Sequence, residues 1–302
     1  MTNDENPYGF GYSLGLNLMD DQETTREEIS QFLTGNLQRR KGRLAYPVTA
    51  YSFLLENRPD MLKQHMRQMQ FLHAVPDNGE LDMSITVLTM LHWYACNRVV
   101  EGIAHEVRSS ASVGASKAAV NEILSLAFMH SGPAGFGAVY EAAHDFMNTF
   151  PEPETTLSWP AGWGPDVDAF KTGLDFSVPD LVAGEQDLLF GWYENTIGYV
   201  PRSIRLLAKY NPRFVKAHRG KFESALRTGV LPKQIVPYIL IHYNMNRGWG
   251  DGIREAALLG KAWGMTRDQV IHAITLGTGY MAGLDGLSIA DEAIGDLLES
   301  WD

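Results

Sequence analysis

A near-repeat at a spacing of about 150 residues constrains what this chain can fold into more than any other feature of its sequence. Pro59-Asp60-Met61-Leu62-Lys63-Gln64-His65 is answered by Pro212-Arg213-Phe214-Val215-Lys216-Ala217-His218, so Lys63 and His65 fall at the offsets of Lys216 and His218. Leu91-His92-Trp93 is answered by Ile241-His242-Tyr243, and Tyr46-Pro47 and Tyr199-Val200-Pro201 open the two stretches. Downstream, His130-Ser131-Gly132 falls where Gly277-Thr278-Gly279 falls. A duplicated unit is expected, and each half then serves as a control for the other. Where the halves agree, packing is the default explanation; where they diverge, one half can have kept chemistry that the other lost.

The 302 residues suffice for one large core or two ordinary ones, and the repeat favours two closely packed halves. A formal charge of −11 repels phosphate backbones and anionic lipid, which argues against nucleic acid and membrane surfaces as partners. The polar, acidic start from Met1 to Pro7 lacks a signal pattern, and no apolar run reaches spanning length, even around Tyr238 to Tyr243. Cys96 is the only cysteine, so neither an intrachain disulfide nor dithiol chemistry is available. A soluble cytoplasmic protein is the expectation.

The periodicity is helical nearly throughout. Ile85, Leu88, Leu91, Val99 and Ile103 recur at helical spacings, Ile235 to Leu259 does much the same with more glycine, and Asn121 to His130 and Gln269 to Leu276 read as a further apolar helix in each half. Between the halves, Phe150 to Pro165 carries Pro151, Pro153, Pro160 and Pro165 with Trp159 and Trp163, which reads as an ordered crossover packed on the surface. The expected organisation is an N-terminal extension over 1–45, a first unit over 46–149, the crossover and a connecting helix over 150–198, and a second unit over 199–302. Within the extension, Tyr8 to Tyr12 is glycine-rich and aromatic and Thr24 to Leu37 reads as a short amphipathic helix. Extensions of this kind often reach onto a neighbouring subunit, and a homo-oligomer is expected.

Candidate chemistry lies in Ala95-Cys96-Asn97-Arg98-Val99-Val100-Glu101-Gly102-Ile103-Ala104-His105. Spacings of three and then four put Arg98, Glu101 and His105 on one stripe of a helix, with Tyr94 joining them if the helix continues upstream. Asn97 reads as its N-cap, which would aim the first amides at the site. A base, a carboxylate to orient it and a cation for an anionic group would then be presented together.

This segment resembles the carboxymuconolactone decarboxylase and alkylhydroperoxidase-D-like superfamily. The resemblance covers Asn57 to Glu141 and Asn211 to Gly286, and rests on a proline-led helix, a long helix entering a site with C-x-x-C-x-x-x-H spacing, and a closing glycine-rich helix. Arg98 and Glu101 stand where peroxidase members carry the two cysteines, and His105 is the histidine, so peroxidase chemistry is not implied. Decarboxylase members are more similar, since they too carry a glutamate four residues before the histidine. Thr86 stands where many members carry a further glutamate. In the second half Gly248, Asp251 and Glu255 replace Arg98, Glu101 and His105. The first half is therefore read as the keeper of the site and the second as structural or as one wall, although Trp249 beside Arg247, Asp251 and Glu255 could also line a polar pocket.

Plainer readings stand beside these. Glu101 and His105 can be a surface pair at i, i+4. The matched His92 and His242 point to shared packing, and Lys63 with His65 and Lys216 with His218 read as helix-end pairs. His130 can approach the site from the following helix, and Cys96 reads as a small buried residue. Glutamate and histidine four apart do not give the three-apart spacing of di-iron bundles, and zinc would need a third ligand that no spacing marks.

The resulting expectation is an all-α protein of two tandem alkylhydroperoxidase-D-like units packed as a pseudo-two-fold pair. It would be a cofactor-independent, metal-free acid/base lyase that decarboxylates a lactone-like or unsaturated organic acid. His105 would be the proton donor, Glu101 its orienting partner and Arg98 the anion anchor, with Tyr94, His130 and Trp249 lining the substrate. A hydratase, dehydratase or double-bond isomerase would use the same residues. A non-catalytic ligand-binding or scaffold protein on the same fold is the reading from a different class.

Overall fold

The computed structural model describes residues 53–54, 56–69, 81, 83–154 and 156–301. The expected extension over 1–45, with its Thr24 to Leu37 helix, and the opening Tyr46-Pro47 lie outside the described residues. What is described is all-α: eleven helices and no strand, with one isolated bridge between Asp166 and Thr228. No helix among the described residues is long and apolar enough to cross a membrane.

Contacts divide the chain into two compact units. The first comprises the described residues up to Lys117 together with Ala134–Ser158, and the second comprises Ala118–Pro133 together with everything from Trp159. The chain thus passes into the second unit for sixteen residues and returns, an exchange of which the sequence pattern carries no sign.

In the first unit, α1 (Pro59–Met69) precedes α2 (Met83–Asn97) and α3 (Val100–Ser112), and α2 packs on α3. The helix α2 buries residues all round, with Ile85, Leu88, Leu91 and His92 at 0 % exposure, as expected of a central helix without a polar face. Thr89 fits there because its hydroxyl donates to the Ile85 carbonyl at 2.7 Å. Each fully buried Leu or Ile contributes roughly 1.5–3 kcal/mol. The long α4 (Lys117–Asn148) is kinked at Gly132, whose φ of 60° and ψ of −161° are not helical, immediately before Pro133.

The second unit contains α5 (Glu185–Ile197), α6 (Arg202–Tyr210), α7 (Pro212–Ala225), α8 (Ile235–Arg247), α9 (Gly250–Ala262), α10 (Arg267–Gly277), a π-helical turn (Thr278–Ala282) and α11 (Gly283–Glu299). At its centre α8 packs on α9, α10 and α11. Local chemistry sets the helix starts. Asn211 accepts from the Phe214 amide ahead of Pro212, and Thr266 and Gln269 form a reciprocal capping box. Within the expected crossover Trp163 is buried, and so are Phe170 and Leu174 in the segment that follows it. The Trp163 indole donates to Gln269 at 3.0 Å, so the capping residue of α10 also anchors the crossover.

The alignment of Gly132 with Gly279 does not hold in conformation. Gly283, with φ 58° and ψ −159°, reproduces the kink of Gly132, and it stands one residue further from its helix start. The π turn absorbs the additional residue, as a single insertion in a helix does.

Candidate acid/base site

The helix expected to run through residues 94–105 is interrupted. Asn97 ends α2, its side-chain amide donating to the Trp93 carbonyl at 2.9 Å, and it does not cap the next helix. Arg98 adopts φ 61°, the only non-glycine residue with positive φ among those described, and Val99 precedes α3 without any side-chain cap. The backbone closes this break through Val99 N–H to the Tyr94 carbonyl at 3.0 Å.

Arg98, Glu101 and His105 therefore do not share one helical stripe. Arg98 lies outside the helix, and both it and Glu101 are exposed, whereas His105 is only 6 % exposed. Two groups of its own helix lie beside the imidazole: Ser109 Oγ, one turn on, at 3.4 Å and Oε1 of the adjacent Glu106 at 3.9 Å from Nε2, with Glu106 and Ser109 themselves buried. Tyr94 is buried with its ring against Gly102, where a Cβ would lie 2.5 Å from ring carbons. Half-buried Cys96 sits with its sulfur 3.6 Å from Nε2 of buried His92. This contact within α2 fits the packing reading of both residues.

The second unit repeats the break. Gly248 has φ 63°, Trp249 N–H bonds the Asn244 carbonyl at 3.0 Å, and α9 begins after Trp249 without a side-chain cap. Both following helices end alike, with Gly114 and Gly264 at positive φ and the amides of Ala115 and Met265 bonded five residues back at 2.9 Å. Residue 255 on α9 thus occupies the register of residue 105 on α3. Trp249 is 49 % exposed, its ring lying against Gly252 as Tyr94 lies against Gly102.

Glu255 is the most perturbed carboxyl of this region. Burial, and secondarily the Asp251 carboxylate one turn earlier, push it up to about 7. The Tyr199 phenol is raised by burial and then by Glu255 and Asp251. His130 belongs to the second unit, its ring 4.5 Å from that of Tyr243; burial, aided by the Arg247 charge, lowers it to about 4. His242 is fully buried with neither ring nitrogen hydrogen-bonded, and burial lowers it to about 3. Both imidazoles are neutral at pH 7.

The matched lysines each stand in the second turn of their helix, Pro59–Met69 and Pro212–Ala225. Lys63 and Lys216 are both buried, and Lys216 Nζ binds both Glu185 oxygens at 2.8 and 2.7 Å and the Asp180 carbonyl at 2.9 Å. Among the described residues no group of three or more His, Cys, Asp or Glu side chains is placed to hold a metal ion. Comparison with protein-family models, curated proteins and solved structures returned no match.

Proposed function

We propose that the chain is a cofactor-independent acid/base lyase that decarboxylates a small organic acid, on two tandem units of the carboxymuconolactone decarboxylase type related by an approximate two-fold axis. The observation that carries this reading is His105, a buried imidazole on the helix that follows a strained break, with a hydroxyl and a carboxylate beside it. Loss of carbon dioxide leaves an electron pair on the substrate and calls for a proton donor held out of bulk water, which such an imidazole can provide. Arg98, exposed and just ahead of the uncapped start of α3, suits a developing enolate oxygen or a spectator carboxylate. A salt bridge to the departing carboxylate would instead stabilise the ground state and be lost in the product.

The test is carbon dioxide release from a panel of γ-lactone carboxylates and β,γ-unsaturated acids. His105→Ala should lower kcat by roughly 10²–10⁴-fold with a smaller change in KM. Arg98→Ala should affect both constants, because it removes an anchor used by substrate and transition state alike. Turnover that survives His105→Ala undiminished would remove the assignment. Product analysis separates decarboxylation from hydration or double-bond migration. The exposure of Arg98 and Glu101 favours a second reading, a ligand-binding or scaffold protein, which predicts saturable binding of such acids with no product.

A further inference from the structure

Between Glu194 and Glu223 the chain carries no acidic residue and seven of its 25 lysines and arginines, in a protein whose formal charge is −11. Four of the seven are already engaged. Lys216 and Arg219 are buried against Glu185 and Glu223, Arg213 bonds Asp180, and Lys221 stands over the Phe128 ring at 4.5 Å. The other three, Arg202, Arg205 and Lys209, are exposed along α6 and make no ion pair among the described residues. Positions 202, 205, 206, 209 and 210 share one face of a helix, and the two apolar residues among them, Leu206 and Tyr210, are 58 % and 70 % exposed. Phe214, in the first turn of α7, is 52 % exposed. The opposite face of α6 is occupied, since Ile204 and Ala208 pack with Leu189, Val200 and Val215. Helix stability does not account for the outer face either: Arg202 is the first residue of α6, where a cation opposes the helix dipole.

The same chain carries the complement. Between Asp4 and Glu28, outside the described residues, the sequence sets seven acidic residues against one cation, Arg26, with Leu14, Leu16, Leu18 and Met19 among them. We propose that this acidic segment docks on the outer face of α6, its carboxylates on Arg202, Arg205 and Lys209 and its apolar side chains on Leu206, Tyr210 and Phe214. Exposed ion pairs contribute little one at a time, so several of them together with apolar contact are needed, and the face offers both. About 25 residues separate Glu28 from Phe53, where the description of the chain begins, and they span up to roughly 80 Å, enough to reach this face on the same chain or on a second copy. Charges act over about 8 Å at physiological salt, so the attraction is confined to the face itself. Nucleic acid or an anionic bilayer would bring most of its charge against the rest of an acidic protein. A second copy offering this same face would set cations against cations. This docking is independent of the acid/base chemistry proposed above.

The experiment treats the full chain with a carbodiimide, which joins a lysine amine to a carboxylate only where the two are in contact, and identifies the partner of Lys209 by mass spectrometry after digestion. An amide between Lys209 and an acidic residue of 4–28 is expected. Its yield should fall roughly fivefold or more in about 1 M salt, where charges act over about 3 Å, and equally in Arg202→Ala/Arg205→Ala, which leaves Lys209 in place. The salt arm needs no substitution, and circular dichroism shows whether the variant keeps its helices. A cross-link found in the monomer places the segment on its own chain and one found in a joined dimer places it on a second copy, and either supports the docking. Lys209 left unreacted, or joined only to carboxylates outside 4–28, overturns it, as does a yield that neither salt nor the double substitution changes. Retention of the chain on phosphatidylserine vesicles or on duplex DNA that is lost in Arg202→Ala/Arg205→Ala, with no such cross-link, gives the face to another polyanion and overturns it as well.

Discussion

Arg98 and Gly248 occupy the same left-handed backbone conformation, φ 61° and 63°, at the same break between helices in the two units. Glycine adopts it without penalty, whereas an L-residue with a long side chain costs of the order of 1 kcal/mol there. Arg98→Gly should therefore raise stability by about 1 kcal/mol. If the guanidinium anchors an anion, the same variant should bind organic acids more weakly. Urea unfolding and binding titrations on one preparation check both halves, and a destabilised Arg98→Gly would show that the arginine is held for packing.

Gly102 and Gly252 each lie under an aromatic ring. A Cβ at 102 would sit 2.5 Å from Tyr94 ring carbons, and one at 252 would sit 2.4 Å from Trp249 and 2.8 Å from the Asn244 amide. Gly102→Ala should cost roughly 1–3 kcal/mol, because buried Tyr94 cannot move aside. Gly252→Ala should cost less, since half-exposed Trp249 can swing outward. Thermal midpoints of the two variants, and the tryptophan fluorescence of the second, report the difference.

His242 and Glu255 tilt stability with pH in opposite directions. His242 has a folded value of about 3 against 6.5 for a free imidazole. Its contribution is complete above about pH 6.5 and is lost as pH falls toward 3, on the order of 4 kcal/mol. Glu255 is raised to about 7 from 4.5, so the fold is favoured below about 4.5 and loses stability as pH rises through 7. Partial exposure and salt screening reduce that loss to ~1 kcal/mol. Urea midpoints at pH 4.5, 6 and 8 should show a flatter acid limb in His242→Leu and a gain above pH 7 in Glu255→Gln. Unchanged slopes would mean that these groups titrate as free side chains.

Glu122 holds three successive amides, those of Gly229, Val230 and Leu231, each at 2.9 Å. Such a row of N–H groups is a nest for a carboxylate, and it joins the sixteen-residue excursion of α4 to the second unit's own loop. Glu122→Ala should destabilise by roughly 1–3 kcal/mol and accelerate amide exchange first in residues 118–133 and 228–231. Exchange that rises evenly along the chain would instead indicate a global effect only.

Part of this was legible in the sequence because it is local. Buried α2 and α8 show as apolar runs with helical spacing, the helix starts at Pro59 and Pro212 as proline-led segments, and the buried pair His92 and His242 as a match between halves. The Gly248 break is visible as a glycine, while the Arg98 break is not, because no residue type there announces positive φ. That hidden break is why Arg98 lies outside the helix that carries Glu101 and His105.

The sequence by itself determined the helical class, the repeat and the identity of the titratable side chains at 105 and 255. Only the tertiary structure decided which of those side chains meet water and which meet one another. Glu255 owes its raised value to burial, and its phenol neighbours Tyr193 and Tyr199 arrive with a helix distant in the chain. Lys216 pairs with Glu185 thirty-one residues away, with one whole helix between theirs, and residues 118–133 are held in the second unit by a nest that lies about a hundred residues further on. Helix formation is governed by neighbours a turn apart, so it can be read along the chain; desolvation and charge pairing are governed by neighbours in space, which the chain order does not contain.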